Sequence, residues 1–268
     1  MDEVWSVRVG QVPYDDAREA QKALEQARHL GEIPDVLLLL EHPPIYTKGR
    51  RSDPAELPMG EDWYRMQGIE VTETDRGGLV TYHGPGQLVG YPIVDLNPYG
   101  GDVHDYIRRM ELVMISSLGD LGIGAGTIEG LTGVWAPLSN DQAAFDGAAE
   151  KVARGDVRKI GSIGVHVNKG VTTHGFAINV NNDLQPFEWI VPCGIDGCRM
   201  TSVCRELGSQ REMASFMDAV TARFAEIYER RGVEIPAGEL AERVPDAEAL
   251  AMAPPWPTTE AGATASIR

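Results

Sequence analysis

A cysteine on a tight turn is a candidate nucleophile in this chain of 268 residues. Cys193 lies between Pro192, whose ring restricts φ, and Gly194, which has no side chain. Such a turn presents the thiol to solvent, and a thiolate is the reactive species in covalent acyl transfer. The pattern alone leaves open a buried structural cysteine. The other two cysteines, Cys198 and Cys204, lack this local geometry.

A glycine-rich segment is a second candidate. Residues Arg76 to Gln87 contain four glycines, one proline and His83. This composition indicates a loop whose backbone approaches another group closely, and exposed amides in such loops bind anions or a developing oxyanion. Turn formation without a functional role is the alternative.

A lysine at the start of an apolar strand is the third candidate. Lys159 precedes Ile160, and Gly161 and Gly164 allow a ligand or another chain segment to come close. An ordinary surface lysine is the alternative reading.

The elements that must position these residues follow from apolar spacing and turn signals. The pattern predicts a buried strand at Val36–Leu40, a strand at Gly68–Thr74 and a hairpin of Ile160–Val167 and Val171–Val180 around Asn168-Lys169-Gly170. It predicts amphipathic helices at Asp15–Leu30, after a cap at Asp102, and at Gln210–Arg231, and a loop from Lys48 to Gly60.

Two segments have a composition that differs from the rest. Residues Asn140–Val157 are polar and rich in alanine, which predicts a surface insertion. From Pro245 onward the chain is mostly alanine, proline, threonine and glutamate, which predicts a flexible tail over residues 245–268.

The overall charge and hydropathy limit the class of protein. Forty acidic and 24 basic residues give a net charge of -16, which argues against nucleic acid and anionic membranes as partners. The longest aliphatic run, Val36–Leu40, is far shorter than the ~20 residues of a membrane span. The first residues resemble no secretory signal, and three cysteines form no disulfide framework, so we expect a cytoplasmic location. With six dispersed histidines and no C-x-x-C pattern, we expect no metal site.

Several blocks of sequence together resemble a known enzyme family. They are LEHPPIYTKGR, RGGLVTYHGPGQLVGYPIVDL, GVW, KIGSIGVHVNKGVTTHGFAINVNNDL and FEWIVPCGI, in this order between about Val9 and Leu207. This pattern is similar to the octanoyl-[acyl carrier protein]:protein N-octanoyltransferases, or lipoyl(octanoyl) transferases. The resemblance implies an α+β fold, a mixed β-sheet with packed helices like the lipoate and biotin protein ligase catalytic domains. It implies a catalytic domain over residues 1–244.

The resemblance also implies site residues. The acyl-thioester cysteine of the family matches Cys193, and the lysine that lowers its pKa matches Lys159. The substrate-binding segments match three stretches of this sequence: Arg76, Gly77, Gly78, Leu79, Val80, Thr81, Tyr82 and His83; Ser162, Ile163 and Gly164; and Gly175, Phe176 and Ala177.

The implied reaction moves an octanoyl group between two proteins. The donor would be octanoyl-acyl carrier protein, whose phosphopantetheine arm arrives with it, so no resident cofactor is expected. The acceptors would be apo lipoyl domains of 2-oxoacid dehydrogenases and the glycine cleavage H protein. Because such partners are usually acidic, we expect a local basic patch of Lys48, Arg50, Arg51 and Arg76 at the mouth of the site.

Three other functions stay open at this point. An ATP-dependent lipoate–protein ligase would share the glycine segment and the lysine but would need no cysteine. An octanoyl amidotransferase between lipoyl-bearing proteins would also use a cysteine. A non-catalytic acyl-carrier binding protein would need neither Cys193 nor Lys159.

Overall fold

The fold is organised around two β-sheets. The computed structural model describes residues 2–138, 145, 148–191 and 197–254. Within these residues the strands are β1 (Glu3–Gln11), β2 (Asp35–Glu41), β3 (Ile45–Lys48), β4 (Glu70–Glu73), β5 (Val80–His83), β6 (Gln87–Ile93), β7 (Gly126–Ile128), β8 (Leu131–Pro137), β9 (Val157–Asn168), β10 (Val171–Asn179) and β11 (Arg231–Glu234).

Helices pack on both faces of the larger sheet, and two short ones contact the smaller sheet. They are α1 (Tyr14–His29), α2 (Glu61–Met66), α3 (Val103–Gly119), α4 (Ala148–Arg154), α5 (Gln185–Glu188), α6 (Val203–Leu207), α7 (Met213–Ile227) and α8 (Ala237–Arg243). Short 3₁₀ helices cover Pro54–Glu56, Asn97–Tyr99 and Pro245–Leu250. None of the described helices has the length and apolar character needed to cross a bilayer.

The larger sheet is mixed, as the resemblance implies. Among the described residues its strand order is β11-β1-β2-β6-β10-β9-β8-β7. Strand β1 runs parallel to both β2 and β11, whereas the pairs from β2 to β7 are antiparallel. A small sheet of order β4-β3-β5 lies beside it and carries the glycine-rich segment into the site.

Strand β2 shows how apolar residues build a core on each face of the sheet. Leu37 and Leu39 pack with residues of α3 and α7, whereas Leu38 and Leu40 pack with residues of α1. Successive side chains of a strand point to opposite faces, so a continuous apolar run is what a sheet covered on both sides requires. The predicted buried strand is therefore confirmed.

The predicted hairpin and helices are also present. Strands β9 and β10 pair antiparallel, with Asn168 opposite Val171, and Lys169 and Gly170 form the turn at φ values of 47° and 89°. The side chain of Asp102 caps α3 by accepting a hydrogen bond from the amide of His104 at 2.8 Å. The third predicted helix is shorter than expected, because the chain leaves α7 at Ile227 and begins β11 at Arg231.

The predicted surface insertion at 140–157 is wrong in its C-terminal part. Residues Ala148–Arg154 form α4, and Val152 is fully buried against Ile128, Trp135 and Val157. The alanine-rich composition reflects helix propensity rather than a loose loop. Of the remainder, residues 139–144 and 146–147 lie outside the described residues.

The predicted boundary at 244 is wrong as well. Pro245–Leu250 forms a 3₁₀ helix in contact with α1 and α8, and Ala247 and Leu250 are buried in the core on the α1 face. The two buried positions are three residues apart, which is one turn of a 3₁₀ helix, so two apolar residues are enough to attach the segment. The rest of the predicted tail, residues 255–268, lies outside the described residues.

Candidate active site

A cavity of about 330 Å³ opens where the glycine-rich segment crosses the β9–β10 hairpin. Its walls contain nearly all of the predicted site residues that the structure describes: Arg76, Gly77, Gly78, Leu79, Val80, Thr81, His83, Lys159, Ser162, Ile163, Gly164, Gly175, Phe176 and Ala177. The other lining residues are Tyr14, Arg51, Val89, Tyr91, Ile107, Gly130, Leu131, Thr132, Val165 and His174. The fold therefore brings the stretch 76–83 together with two stretches of the β9–β10 hairpin that follow it by about 80 to 100 positions in the sequence.

Gly164 on the β9–β10 hairpin lies where the backbone of the glycine-rich segment comes close to that of β9. The amide of Gly77 donates to the carbonyl of Val165 at 2.9 Å, which holds the segment across β9. A Cβ atom on Gly164 would lie 3.0 Å from both the carbonyl oxygen of Gly77 and Cδ of Arg76. Any larger side chain at 164 would therefore push the segment away from the strand.

The buried side chain of Arg76 attaches the glycine-rich segment to β3. Its side chain is buried, and its guanidinium donates to the carbonyl of Thr47 at 2.6 Å, to the hydroxyl of Thr47 at 2.8 Å and to the carbonyl of Gly77 at 3.0 Å. Arg76, which we expected to contribute to a basic patch at the mouth of the site, is instead buried and bound to Thr47 and Gly77. Lys48 is also engaged, since its amine pairs with Glu61 at 2.9 Å and Glu73 at 3.3 Å.

Tyr82 is the one predicted site residue in the described part of the chain that does not line the cavity. Its ring packs 5.5 Å from that of Tyr46 and 5.4 Å from that of Phe187, between centroids. It contributes to a small core behind the glycine segment, so the structure places this predicted substrate-binding side chain away from the cavity.

Lys159 is buried on the wall of the cavity, with 4% of its surface exposed. Its amine lies 5.4 Å from the centre of the Trp135 ring, a favourable cation–π arrangement. Gly133 leaves room for this side chain: a Cβ atom there would lie 2.7 Å from Cε of Lys159. The lysine is thus enclosed by β8 and β9 rather than exposed at a strand end, which contradicts the surface-lysine reading.

A carboxylate close to Lys159 escaped the sequence reasoning. Glu111 of α3 is buried and accepts a hydrogen bond from the amide of Gly133 at 3.1 Å. Burial raises the pKa of Glu111, while the Gly133 amide and the positive charges of Arg108 and Lys159 act to lower it. The available signal was a glutamate on the apolar side of α3, directly after the buried Met110.

Cys193 lies in residues 192–196, outside the described residues, so its role stays a prediction. The chain on either side of this segment is attached at defined points. The amide of Val191 donates to the carbonyl of Glu56 at 3.2 Å. On the other side, the backbone of Lys159 accepts from the amide of Thr201 at 2.9 Å and donates to the carbonyl of Arg199 at 2.8 Å. The chain that follows residues 192–196 therefore pairs with β9 at Lys159 itself.

Histidines and tyrosines line one end of the cavity, and His42, which does not line it, packs against three of them, Tyr14, His83 and Tyr91. His42 donates from Nδ1 to the carbonyl of Val12 at 2.7 Å, since a carbonyl only accepts, and Nε2 then accepts from the hydroxyl of Tyr91 at 2.7 Å. Burial lowers the pKa of His42 to about 4, so the ring is neutral near pH 7. Sequence reasoning missed the role of His42 and Tyr91.

His174 completes this end of the cavity. Its Nε2 donates to the carboxylate of Asp75 at 2.8 Å, and its ring lies edge-on to that of Tyr91. Burial lowers the pKa of His174, partly offset by Asp75, and the hydrogen bond from His174 holds the pKa of Asp75 well below its usual range. The backbone of His174 has a φ of 58°, unusual for a residue other than glycine, and its amide donates to the buried side chain of Gln21 at 2.6 Å.

Comparison with known proteins shows to which family this chain belongs. The family model of the lipoyl protein ligase A/B catalytic domain matches residues 13–225. An octanoyltransferase of Koribacter versatilis (strain Ellin345) is 43% identical over 228 residues, which cover 84% of each chain. An octanoyltransferase of Mycobacterium sp. (strain KMS) is 44% identical over 225 residues, 84% of this chain and 85% of the relative.

Solved structures show the same fold at low sequence identity. A bi-partite lipoate protein ligase of Thermoplasma acidophilum has a TM-score of 0.66 at 18% identity, covering 94% of this chain and 91% of that one. A lipoate-protein ligase A bound with ATP has a TM-score of 0.63 at 17% identity, covering 94% and 93%. The predicted α+β fold is therefore confirmed. The chain belongs to the octanoyltransferases of the lipoyl protein ligase A/B catalytic-domain family, and it is an acyltransferase.

Proposed function

We propose that the protein transfers an octanoyl group from octanoyl-acyl carrier protein to a lysine of an apo lipoyl domain, through a thioester on Cys193. The observation that carries this proposal is the buried amine of Lys159 on the wall of a largely apolar cavity. The relatives named octanoyltransferases match most of the chain and support the same reaction.

The apolar walls of the cavity suit a fatty chain. Leu79, Val89, Ile107, Leu131 and Phe176 line it without carrying any charge. Each methylene that leaves water contributes about 0.8 kcal/mol, so six methylenes contribute roughly 5 kcal/mol. Burial of the octanoyl chain then supplies binding free energy at a distance from the reacting carbonyl.

The first half-reaction loads the enzyme. An ordinary cysteine, with a pKa near ~8.5, is only a few per cent thiolate at neutral pH, and an adjacent ammonium increases that fraction. In the proposal the thiolate of Cys193 attacks the thioester carbonyl, the bond to the phosphopantetheine sulfur breaks, and Lys159 gives its proton to the departing thiolate. Lys159 is then neutral.

The second half-reaction unloads the octanoyl group. The neutral amine of the acceptor lysine attacks the Cys193 thioester and loses one proton to Lys159. The bond to the Cys193 sulfur breaks, and the thiolate–ammonium pair returns. Because an amide is more stable than a thioester, the transfer needs no ATP.

Each tetrahedral intermediate needs hydrogen-bond donors for its oxyanion. The amide of Gly77 already donates to Val165 and is unsuitable. Within the glycine segment this leaves the amides of Gly78 and Leu79 as candidates, since both residues line the cavity. Amides near Cys193 are the other candidates.

The basic patch that we expected is reduced to two arginines. Arg50 and Arg51 are exposed, and their amides donate to the carbonyls of Arg76 at 3.0 Å and Gly78 at 3.2 Å, which places them beside the glycine segment. Arg51 also lines the cavity. We propose that these two residues contact the acidic carrier protein, the lipoyl domain, or both in turn.

A transfer assay without ATP tests the proposal. We expect the purified protein to move the octanoyl group from octanoyl-acyl carrier protein to an apo lipoyl domain, and we expect Lys159→Met to abolish the transfer. The exposed Lys169 provides a matched control, since Lys169→Met removes an amine on the same hairpin at the turn. Transfer that requires ATP, together with pyrophosphate exchange dependent on the fatty acid, would instead establish a ligase.

A further inference from the structure

A buried chain of amide side chains links the backbone near Lys159 to His83. The side-chain amide of Asn179 donates to the carbonyl of Thr201 at 3.0 Å, so its oxygen faces the other way. That oxygen accepts from Nε2 of Gln87 at 2.9 Å, and the same Nε2 donates to the carbonyl of Tyr82 at 3.2 Å. Two backbone carbonyls, which can only accept, therefore determine how both amide groups are oriented.

This orientation determines which nitrogen of His83 carries the proton. With its NH₂ group turned to Tyr82 and Asn179, Gln87 presents its oxygen to Nδ1 of His83 at 2.7 Å. An amide oxygen cannot donate, so Nδ1 must carry the hydrogen. Burial, assisted by the nearby His42, lowers the pKa of His83 well below its ordinary value, so the ring is neutral. In a neutral ring with a proton on Nδ1, Nε2 is an acceptor.

The accepting nitrogen is the one available to a ligand. His83 lines the cavity, and no residue in the described part of the chain forms a hydrogen bond with its Nε2. The ring is held on two sides, stacked on Tyr14 with centroids 6.1 Å apart and edge-on to His42 at 5.6 Å. It is therefore fixed in position before any substrate arrives. Because Nε2 carries no hydrogen, it is unsuited to donate to an oxyanion.

We propose that Nε2 of His83 accepts a hydrogen bond from the attacking amine of the acceptor lysine. The inference rests on the proposed function and concerns its second half-reaction. A neutral amine has two N–H groups. The one bound to His83 stays on the nitrogen and becomes the N–H of the product amide, while the other proton passes to Lys159. His83 itself neither gains nor loses a proton, which matches a ring that stays neutral.

Gln87 then has a separate role as a positioning residue. It does not line the cavity, but its oxygen keeps the hydrogen on Nδ1 and so keeps Nε2 an acceptor. Replacing it by the similarly sized methionine removes that constraint and leaves the ring in place between Tyr14 and His42. The effect of Gln87→Met should therefore be visible in the tautomer of His83.

The tautomer can be measured on the unaltered protein. In a two-bond ¹⁵N–¹H correlation spectrum of protein with ¹⁵N-labelled histidine, we expect His83 to show a protonated Nδ1 and an unprotonated Nε2, assigned with His83→Phe. We expect Gln87→Met to shift that signal toward a mixture of tautomers. A protonated Nε2 in the wild type would overturn the inference whatever the variants do.

The two half-reactions separate this inference from the proposed function. We expect His83→Phe to acquire the octanoyl group from octanoyl-acyl carrier protein within about threefold of the wild-type rate, and to pass it to an apo lipoyl domain roughly 10- to 100-fold more slowly. The control His104→Phe, at an exposed position, should leave both steps unchanged. Normal discharge by His83→Phe would overturn the role of His83 alone, whereas a wild type that never loads would overturn the proposed function.

Discussion

Gly133 and Lys159 are in such close contact that no side chain fits between them. A Cβ atom on Gly133 would lie 2.7 Å from Cε of Lys159 and 2.6 Å from the carbonyl oxygen of Gly161. We predict that Gly133→Ala displaces the lysine and lowers transfer at least about tenfold, since a shift of 1 Å at a reacting group can cost ~100-fold. The measurement is the steady-state rate of octanoyl transfer at a saturating concentration of octanoyl-acyl carrier protein.

A second glycine variant separates this contact from backbone strain. Gly133 has a positive φ of 120°, so an alanine there is strained in its backbone as well as crowded. Gly130 has a positive φ of 78°, but a Cβ atom on Gly130 would meet nothing within 4 Å. Gly130→Ala should therefore lose stability through its backbone and keep most of its activity per folded molecule. If both variants lost activity equally, the contact with Lys159 would not be the reason that position 133 requires a glycine.

The buried His42 should make the protein sensitive to acid. Its pKa is about 4 when folded and 6.5 in a model peptide, so the unfolded chain binds more protons between these values. The contribution of His42 to the free energy of unfolding is therefore fully present above pH 6.5. It decreases by up to about 3 kcal/mol as the pH drops toward 4. Urea unfolding of the wild type at several pH values should show this decline, to which His83 and His174 add in the same direction.

A variant at this position identifies the contribution of His42. His42→Gln removes the titrating ring while keeping a donor and an acceptor, so its stability should be lower at neutral pH but less dependent on pH between 6.5 and 4. His104→Gln, at an exposed residue, should follow the wild type. A pH dependence that is as steep in His42→Gln as in the wild type would show that other groups cause the acid sensitivity.

Electrostatic attraction at the cavity mouth should depend on Arg50 and Arg51. The chain has a net charge of -16, so the association with acidic partners needs local positive charge. We predict that the double variant Arg50→Glu/Arg51→Glu raises the KM for octanoyl-acyl carrier protein, with the largest effect at low salt, because salt screens exposed charges. The measurement is KM as a function of ionic strength.

The matched control changes the net charge equally at a distant place. Arg231→Glu/Arg243→Glu alters two exposed arginines on β11 and α8, away from the glycine segment. We expect its KM and salt dependence to stay close to those of the wild type. An equal effect of both double variants would indicate net charge alone, and the local contact would be rejected.

The segment after residue 244 should contribute to stability. Leu250 is buried in the core that contains α1, so Leu250→Ala should lower the free energy of unfolding by about 2–4 kcal/mol. Met252, two residues later, is exposed, and Met252→Ala should change it by less than about 0.5 kcal/mol. If urea unfolding gave equal values for the two variants, the 3₁₀ segment would not be part of the cooperative core.

Local patterns were sufficient to predict the elements that carry the site. The continuous apolar run of β2, the Asn168–Gly170 turn and the cap at Asp102 are properties of short stretches, and each is found where it was expected. The glycine segment and Lys159 were predicted to meet only because a whole family shows the same blocks in the same order. Spacing alone left each of them with an ordinary structural explanation.

The remaining features depend on contacts between distant parts of the chain. No local pattern assigned a role to His42, but Val12 and Tyr91 give its ring two buried hydrogen bonds. Glu111 is 22 positions before its partner Gly133. Tyr82 shares a strand with site residues and still packs away from the cavity, because Tyr46 and Phe187 cover it. Composition did not show that Leu250 packs into the core, because two apolar residues change the average composition of a long stretch very little.

The most direct test of the account is the intact mass of the protein after mixing with octanoyl-acyl carrier protein. We predict a gain equal to one octanoyl group in the wild type and in Cys204→Ser, located at Cys193 by peptide mapping and removed when an apo lipoyl domain is added. Cys193→Ser should show no gain and should remain folded. Transfer at the wild-type rate by Cys193→Ser, or an adduct at any other residue that the lipoyl domain discharges, would contradict covalent catalysis by Cys193.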